Sequence, residues 1–182
     1  FYEFIHLKIT HTHVSSRGPG INAVTSPSTP VFVKDCIFDG CLTATQGSSL
    51  TILHIEGCEV MNCTSTTIAV GFAATCFAYS CDVHDNAGAA FVGTSNSGSG
   101  TVINLQDCII DTNLIGITNV NTTTSSTYTA HGCIFVDNTG DAIKMAATTS
   151  VSGLTLELEN NVFYGNGGYG IDNLDEQAIA DA

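Results

Sequence analysis

The sequence predicts an all-β chain wound into a solenoid of short parallel strands, about seven coils long. Three observations carry that expectation. A pattern recurs about every 25 residues, apolar and polar side chains alternate within each copy, and turn-forming residues sit at fixed places between the alternating runs.

The repeat is clearest with Cys36, Cys58, Cys81, Cys108, Cys133 and Asn161 as anchors, spaced 22, 23, 27, 25 and 28 residues apart. Two residues after each anchor stand Phe38, Val60, Val83, Ile110, Phe135 and Phe163. Three before it are Val33, Ile55, Ala78, Leu105, Ala130 and Leu158, and five before it Val31, Leu53, Cys76, Ile103, Tyr128 and Leu156. Five after it come Cys41, Cys63, Asn86, Asn113, Asn138 and Asn166. From the second anchor on, Ile68, Phe91, Ile117, Ile143 and Ile171 follow nine or ten residues later. An earlier copy fits Thr12 as anchor, with Leu7, Ile9, Val14 and Ile21 in the inward slots.

Between these positions Thr51, His54, Glu56, Asn104, Gln106, Glu157 and Glu159 are read as outward, a period of two that argues strands. Asp35, Gly57, Ser80, Asp107, Gly132 and Asn160 precede the anchors and are turn-formers. Each copy reads strand, bend, short strand, bend, short strand, loop. A unit this small cannot bury its own apolar side, whereas copies stacked at roughly 4.8 Å share one core. We read residues 1–182 as one domain, with coils over about 7–174 and a tail or short cap at 175–182. Opening in mid-strand style with "FYEFIHLKIT", the chain reads as mature, trimmed or cut from something longer.

The phrases "CIFVDNTGDAI" (133–143) and "NVFYGNGGYGI" (161–171) resemble the repeat of the right-handed parallel β-helix proteins, the pectate-lyase-like superfamily. The resemblance covers about residues 7–174 and implies a single-stranded right-handed β-helix. For function it implies little, because that superfamily holds lyases, hydrolases, adhesins and fibre proteins.

In such a coil, like stacks on like. Asn86, Asn113, Asn138 and Asn166 form one amide ladder at a bend, continued by Cys41 and Cys63; the anchors form a second ladder of five thiols ended by Asn161. The thiols are read as small buried packing groups. Disulfides closing within a coil (Cys36–Cys41, Cys58–Cys63, Cys76–Cys81) stay open as the alternative. Zinc is disfavoured, because no histidine follows at ligand spacing.

Composition bounds the partners. With 43% hydrophobic and 12% charged residues the chain is a folding one, not a disordered one. The net charge of −13, with only Lys8, Arg17, Lys34 and Lys144 as cations, argues against nucleic acid. No apolar run is long enough to span a membrane. Asn62 and Asn121 open glycosylation triplets, and the Ser/Thr-rich loops suit O-linked sugars. Ile37, Met61, Ile109, Ile134, Val136, Val162 and Tyr164 fall in outward slots and suggest a contiguous apolar partner surface. Both ends of a solenoid present open strand edges, which invite association.

Chemistry is sparse. Lyases of the resembled superfamily use a basic residue beside calcium-binding carboxylates, but Lys34 and Arg17 lie in different outward rows. Asp141 in "NTGDAIK" echoes a hydrolase fragment, yet the matching positions on adjacent coils read as Gly116 and Tyr169, so no carboxylate pair results. Asp39, Asp85, Asp111 and Asp137 make at most a weak calcium row, and His11 with His13 lacks a third ligand. No cofactor is expected. The expectation is a non-enzymatic extracellular or cell-surface element, structural or adhesive, that self-associates laterally or end to end. A carbohydrate-active β-helix, either enzyme-like or glycan-binding, and a phage or viral fibre segment are the alternatives.

Overall fold

A computed structural model describes residues 2–10, 19–24, 30–48, 51–65, 67–70, 74–94, 100–120, 126–145 and 154–173. The Thr12 anchor, Val14, His11, His13, Arg17, Asn121 and the 175–182 tail lie outside these segments.

The described chain forms three sheets of seven strands, every pairing parallel and every neighbour one coil away. The first sheet takes Tyr2–Ile5, Pro30–Lys34, Ile52–Glu56, Thr75–Tyr79, Val102–Gln106, Ser126–His131 and Leu154–Glu159. The second takes Lys8–Thr10, Ile37–Asp39, Glu59–Met61, Asp82–His84, Ile109–Asp111, Ile134–Val136 and Val162–Tyr164. The third takes Pro19–Val24, Thr43–Ser48, Ile68–Val70, Ala89–Thr94, Ile115–Val120, Ile143–Met145 and Ile171–Asn173.

Register makes the core. Val31, Leu53, Cys76, Ile103, Tyr128 and Leu156 pair in one row, and Val33, Ile55, Ala78, Leu105, Ala130 and Leu158 in the next. Phe38, Val60, Val83, Ile110, Phe135 and Phe163 line the second sheet inside. In the third sheet Ile21, Thr45, Ile68, Phe91, Ile117, Ile143 and Ile171 follow one another. The middle coils are closed to solvent, while Leu154, Leu156, Leu158 and Phe163 in the last coil are half-buried. Tyr128 fits because Gly93 is bare: a Cβ there would sit 2.2 Å from the tyrosine oxygen. Thr51 corrects the outward reading. It has the parity of Leu53 and Ile55, and both it and its counterpart Thr101 are fully buried.

Two bends turn each coil, and both need left-handed backbone. At the first, His6, Asp35, Gly57, Ser80, Asp107, Gly132 and Asn160 all have positive φ. At the second, Gly40, Asn62, Asp85, Thr112, Asp137 and Gly165 do. Glycine, asparagine and aspartate tolerate that conformation best, which explains the turn residues before each anchor. At Gly57 and Gly132 an added Cβ would also meet Asp35 or Asp107 Oδ1 at 2.6 Å, so the aspartate of one coil leans over the glycine of the next.

Just after the first bend the thiols have a common task. Each sulfur donates to a carbonyl two residues back, and the middle ones also to a carbonyl one coil away: Cys58 Sγ to Glu56 O at 3.4 Å and Val33 O at 3.5 Å, Cys81 Sγ to Tyr79 O at 3.3 Å and Ile55 O at 3.6 Å. Cys36 and Cys108 repeat the pattern, and Cys133 Sγ reaches His131 O at 3.5 Å. Asn161 takes the place on the last coil, its amide donating to Ala130 O at 2.7 Å and its carbonyl accepting from Cys133 N at 2.9 Å. All eight cysteines are free and buried, so the within-coil disulfide alternative is not formed. Burial pushes the Cys76 thiol up, and hydrogen bonds donated to Cys108 and Cys58 together with burial do the same for Cys81. The Cys76 and Cys81 thiols are neutral packing groups.

The second bend carries the carboxamides. Asn86 Nδ2 donates to Asn113 Oδ1 at 2.8 Å and Asn138 Nδ2 to Asn166 Oδ1 at 2.9 Å. Each amide also reaches a carbonyl of the coil before: Val60, Val83, Ile110 and Phe135 in turn. Cys63 N donates to Asn86 Oδ1 at 2.8 Å, and Cys41 Sγ faces Ile9 O at 3.9 Å, so the row changes from thiol to amide without stranding the backbone.

Candidate functional site

With the middle coils closed to solvent, function falls to the outward rows. Alternation in the second sheet points Lys8, Ile37, Glu59, Asp82, Ile109, Ile134 and Val162 outward in one row. Beside them run Thr10, Asp39, Met61, His84, Asp111, Val136 and Tyr164. The expected apolar surface is therefore not contiguous. Glu59 and Asp82 separate Ile37 from the rest, and Met61 lies between Asp39 and His84. What remains is a patch on the last three strands: Ile109 (42% exposed), Ile134 (39%), Val162 (53%) and Tyr164 (71%), with half-buried Val136.

The other half of that face is ionic. His84 Nδ1 lies 2.9 Å from Asp85 Oδ2 and its Nε2 3.5 Å from Glu59 Oε1. Burial works against the imidazolium, but the Asp85 hydrogen bond, Asp82 and Glu59 outweigh it and hold its pKa above the usual value. The four aspartates read as one row occupy two. Asp39 and Asp111 end strands, whereas Asp85 and Asp137 sit one residue later at left-handed positions, with Thr112 between them. Thr112 Oγ1 bonds Asp85 Oδ1 at 3.1 Å. Among the described residues no three His, Cys, Asp or Glu side chains are grouped to hold a metal.

The first sheet presents a different surface. Glu3, Phe32, His54, Phe77, Asn104, Thr129 and Glu157 share one outward row, and Ile5, Lys34, Glu56, Tyr79, Gln106, His131 and Glu159 the next. The His54 ring is stacked between Phe32 and Phe77, with centroids 4.7 and 4.9 Å away. Burial, with help from the Lys34 charge, lowers its pKa and keeps it neutral in the stack. Tyr79 lies parallel to Phe77 at 6.5 Å and 1°. The stack stops where Asn104 follows Phe77. There a groove of about 310 Å³ opens, lined by Phe77, Tyr79, Asn104, Gln106, Thr129 and His131. Beyond Phe32 a second hollow is lined by Glu3, Pro30, Phe32 and Lys34. The signal was available in the sequence: Phe32, His54 and Phe77 all stand four residues before an anchor.

A third cluster was also missed. Lys144 pairs in register with Asp172, and its Nζ is 3.2 Å from Asp141 Oδ2 and 3.5 Å from Asp172 Oδ2. Asp141, 8% exposed, also accepts from Tyr169 N at 2.8 Å. Gly116 donates its N–H to the Asp141 carbonyl at 3.2 Å and lies against the Ala142 carbonyl, so it brings no carboxylate to Asp141. Two carboxylates are thus close, but an ammonium sits between them. Asp141 first and Asp172 second raise the Lys144 pKa, so the lysine stays charged. Glycoside hydrolysis needs two carboxyl groups facing each other across the scissile bond, whereas here an ammonium bridges the pair.

Asn62, of the described glycosylation triplet, is exposed at its bend and donates to Asp39 Oδ1 at 2.9 Å. No described helix is long and apolar enough to cross a membrane.

Comparison with known proteins places this geometry. No curated protein matches the sequence. Among solved structures, the crystal structure of the periplasmic alginate epimerase AlgG is similar at a TM-score of 0.44 and 7% identity, over 80% of this chain and 51% of that one. The chain thus spans about half the length of that enzyme. The family model described as "Right handed beta helix region" matches residues 3–180. With nearly the whole sequence inside that match, and three parallel sheets of stacked coils behind it, the chain belongs to the right-handed β-helix family.

Proposed function

We propose that this chain is a non-enzymatic extracellular β-helix, a structural or adhesive element that associates side by side with copies of itself. The observation that carries the reading is the exposed Ile109–Ile134–Val162 row with Tyr164 beside it. A chain of net charge −13 repels its own copies, so contact is favoured only where charge is absent. On the outward side of these three strands Asp111 alone is charged. Two copies related by a two-fold axis would place patch on patch and hold the Glu59–Asp82–His84 half of each face away from the other. The non-enzymatic reading is supported by Lys144 lying between Asp141 and Asp172. The extracellular reading is supported by the Ser/Thr-rich loops and the Asn62 triplet.

Sedimentation velocity tests it. The wild-type chain should pass from monomer to dimer with rising concentration, and more readily at higher salt as the self-repulsion is screened. Ile134→Asp should stay monomeric with an unchanged melting curve, because its side chain is solvent-facing. A wild-type chain that remains monomeric at every concentration and salt sinks the proposal.

A further inference from the structure

We propose that the notch at which the aromatic stack ends is a saccharide subsite that takes a neutral pyranose ring. The site is a missing rung. Three successive coils place a ring at this height, and the next two place Asn104 and Thr129 there instead. Side chains this short leave the outer face of Phe77 uncovered, and Tyr79, parallel to it, widens the wall. The floor and far side are the Asn104 and Gln106 amides, the Thr129 hydroxyl and the His131 imidazole. Thr129 Oγ1 donates to Asn104 Oδ1 at 2.5 Å, which occupies the amide's oxygen and leaves its NH₂ as the donor that Asn104 brings to the groove lining. One apolar wall against several donors and acceptors matches a ring with a C–H face and a hydroxyl rim. The volume of about 310 Å³ is at the small end of ligand sites, fitting one ring rather than a large cofactor.

Charge sets the class. Of the groove residues only His131 can carry positive charge, and its Nδ1 already faces Glu159 Oε2 at 3.1 Å. Asp107 lies beside Gln106, and Glu157 and Glu159 occupy the next coil of the two rows. A uronate would be repelled, whereas a neutral sugar loses nothing. Strand spacing of roughly 4.8 Å lets a chain of sugars run along the sheet, so that the ring in the notch is one unit of an oligosaccharide. This proposal is independent of the self-association reading, since it uses the first sheet and not the second.

The test is two-dimensional NMR with soluble hexasaccharides of four neutral kinds, β-glucan, xylan, mannan and N-acetylglucosamine, and one oligouronate. At least one neutral hexasaccharide should shift the resonances of Tyr79, Asn104, Gln106 and Thr129 at millimolar concentration, and the oligouronate should not. Tyr79→Ala should weaken binding about tenfold or more. Asn104→Phe adds the absent rung; it should abolish binding while leaving the melting temperature unchanged or higher. Binding that survives Asn104→Phe, shifts confined to another face, a preference for the oligouronate, or no neutral ligand in the panel would each overturn the proposal.

Discussion

Side chains at the two bends of every coil are chosen for a backbone task before any other. Thr112 is the exception that exposes the rule. Its φ of +49° is left-handed, and a β-branched residue is poorly suited to it. The other occupants of its row are Gly40, Asn62, Asp85, Asp137 and Gly165. What threonine offers is its bond to Asp85, the same service that Asn62 Nδ2, two bends earlier in the stack, gives Asp39. Thr112→Asn should keep that bond and remove most of the strain, gaining about 1 kcal/mol, which for a chain of this size is roughly 2–4 °C in melting temperature. Thermal unfolding followed by circular dichroism checks it, and a lower melting temperature would contradict the account of the bend.

At the scale of a sheet, what each row contributes depends on who stands next to whom. His84 faces Glu59 on the strand before, Asp111 in register on the strand after, and Asp82 and Asp85 on its own segment. Its pKa is raised in the folded state, so its contribution is complete below the unfolded value of about 6.5 and is lost as pH climbs through the folded value. The wild-type chain should therefore lose stability between about pH 5.5 and about pH 8.5 by more than His84→Gln does. Equal losses in the two proteins, or an imidazole titrating below its free value by NMR, would rule that out. Rows of this kind were legible in the sequence wherever the anchor spacing could be counted, because parity fixes the face. Thr51 was misread because its polarity was weighed above its parity. The apolar surface was overdrawn for the converse reason: the apolar members of the row were read together while Glu59 and Asp82, in the same slot, were passed over. The aspartates divided into two rows because Asp39 and Asp111 stand three residues after their anchors and Asp85 and Asp137 four, and the fourth position is the left-handed one after every anchor from Cys36 to Asn161. Pairing of Lys144 with Asp172 went unseen since it links the outer slots of two coils, where no apolar period marks the place.

The whole molecule behaves as a one-dimensional stack, in which each coil meets only its neighbours and stability is a sum over interfaces. Removing one complete coil should then be tolerated, and its length is dictated by the anchors. Deleting residues 59–81 joins Cys58 to Asp82 and takes out 23 residues, the distance from one anchor to the next (81 − 58). Leu53 and Ile55 would then meet Ile103 and Leu105, Phe38 would meet Val83, and Cys41 N would find Asn86 Oδ1 as Cys63 N does now. A deletion of 60–81, shorter by a single residue, turns Val83 from the core toward solvent and pushes the second bend out of line with its left-handed row. Circular dichroism should show the in-register variant folded and cooperative at a somewhat lower melting temperature, and the other far less stable. Thiol labelling gives an independent reading, because five cysteines remain in both variants (8 − 3) and all five are buried in the intact stack. They should stay protected in the first variant and react in the second; equal protection in both would mean that loops, not stacked rows, hold the coils in register.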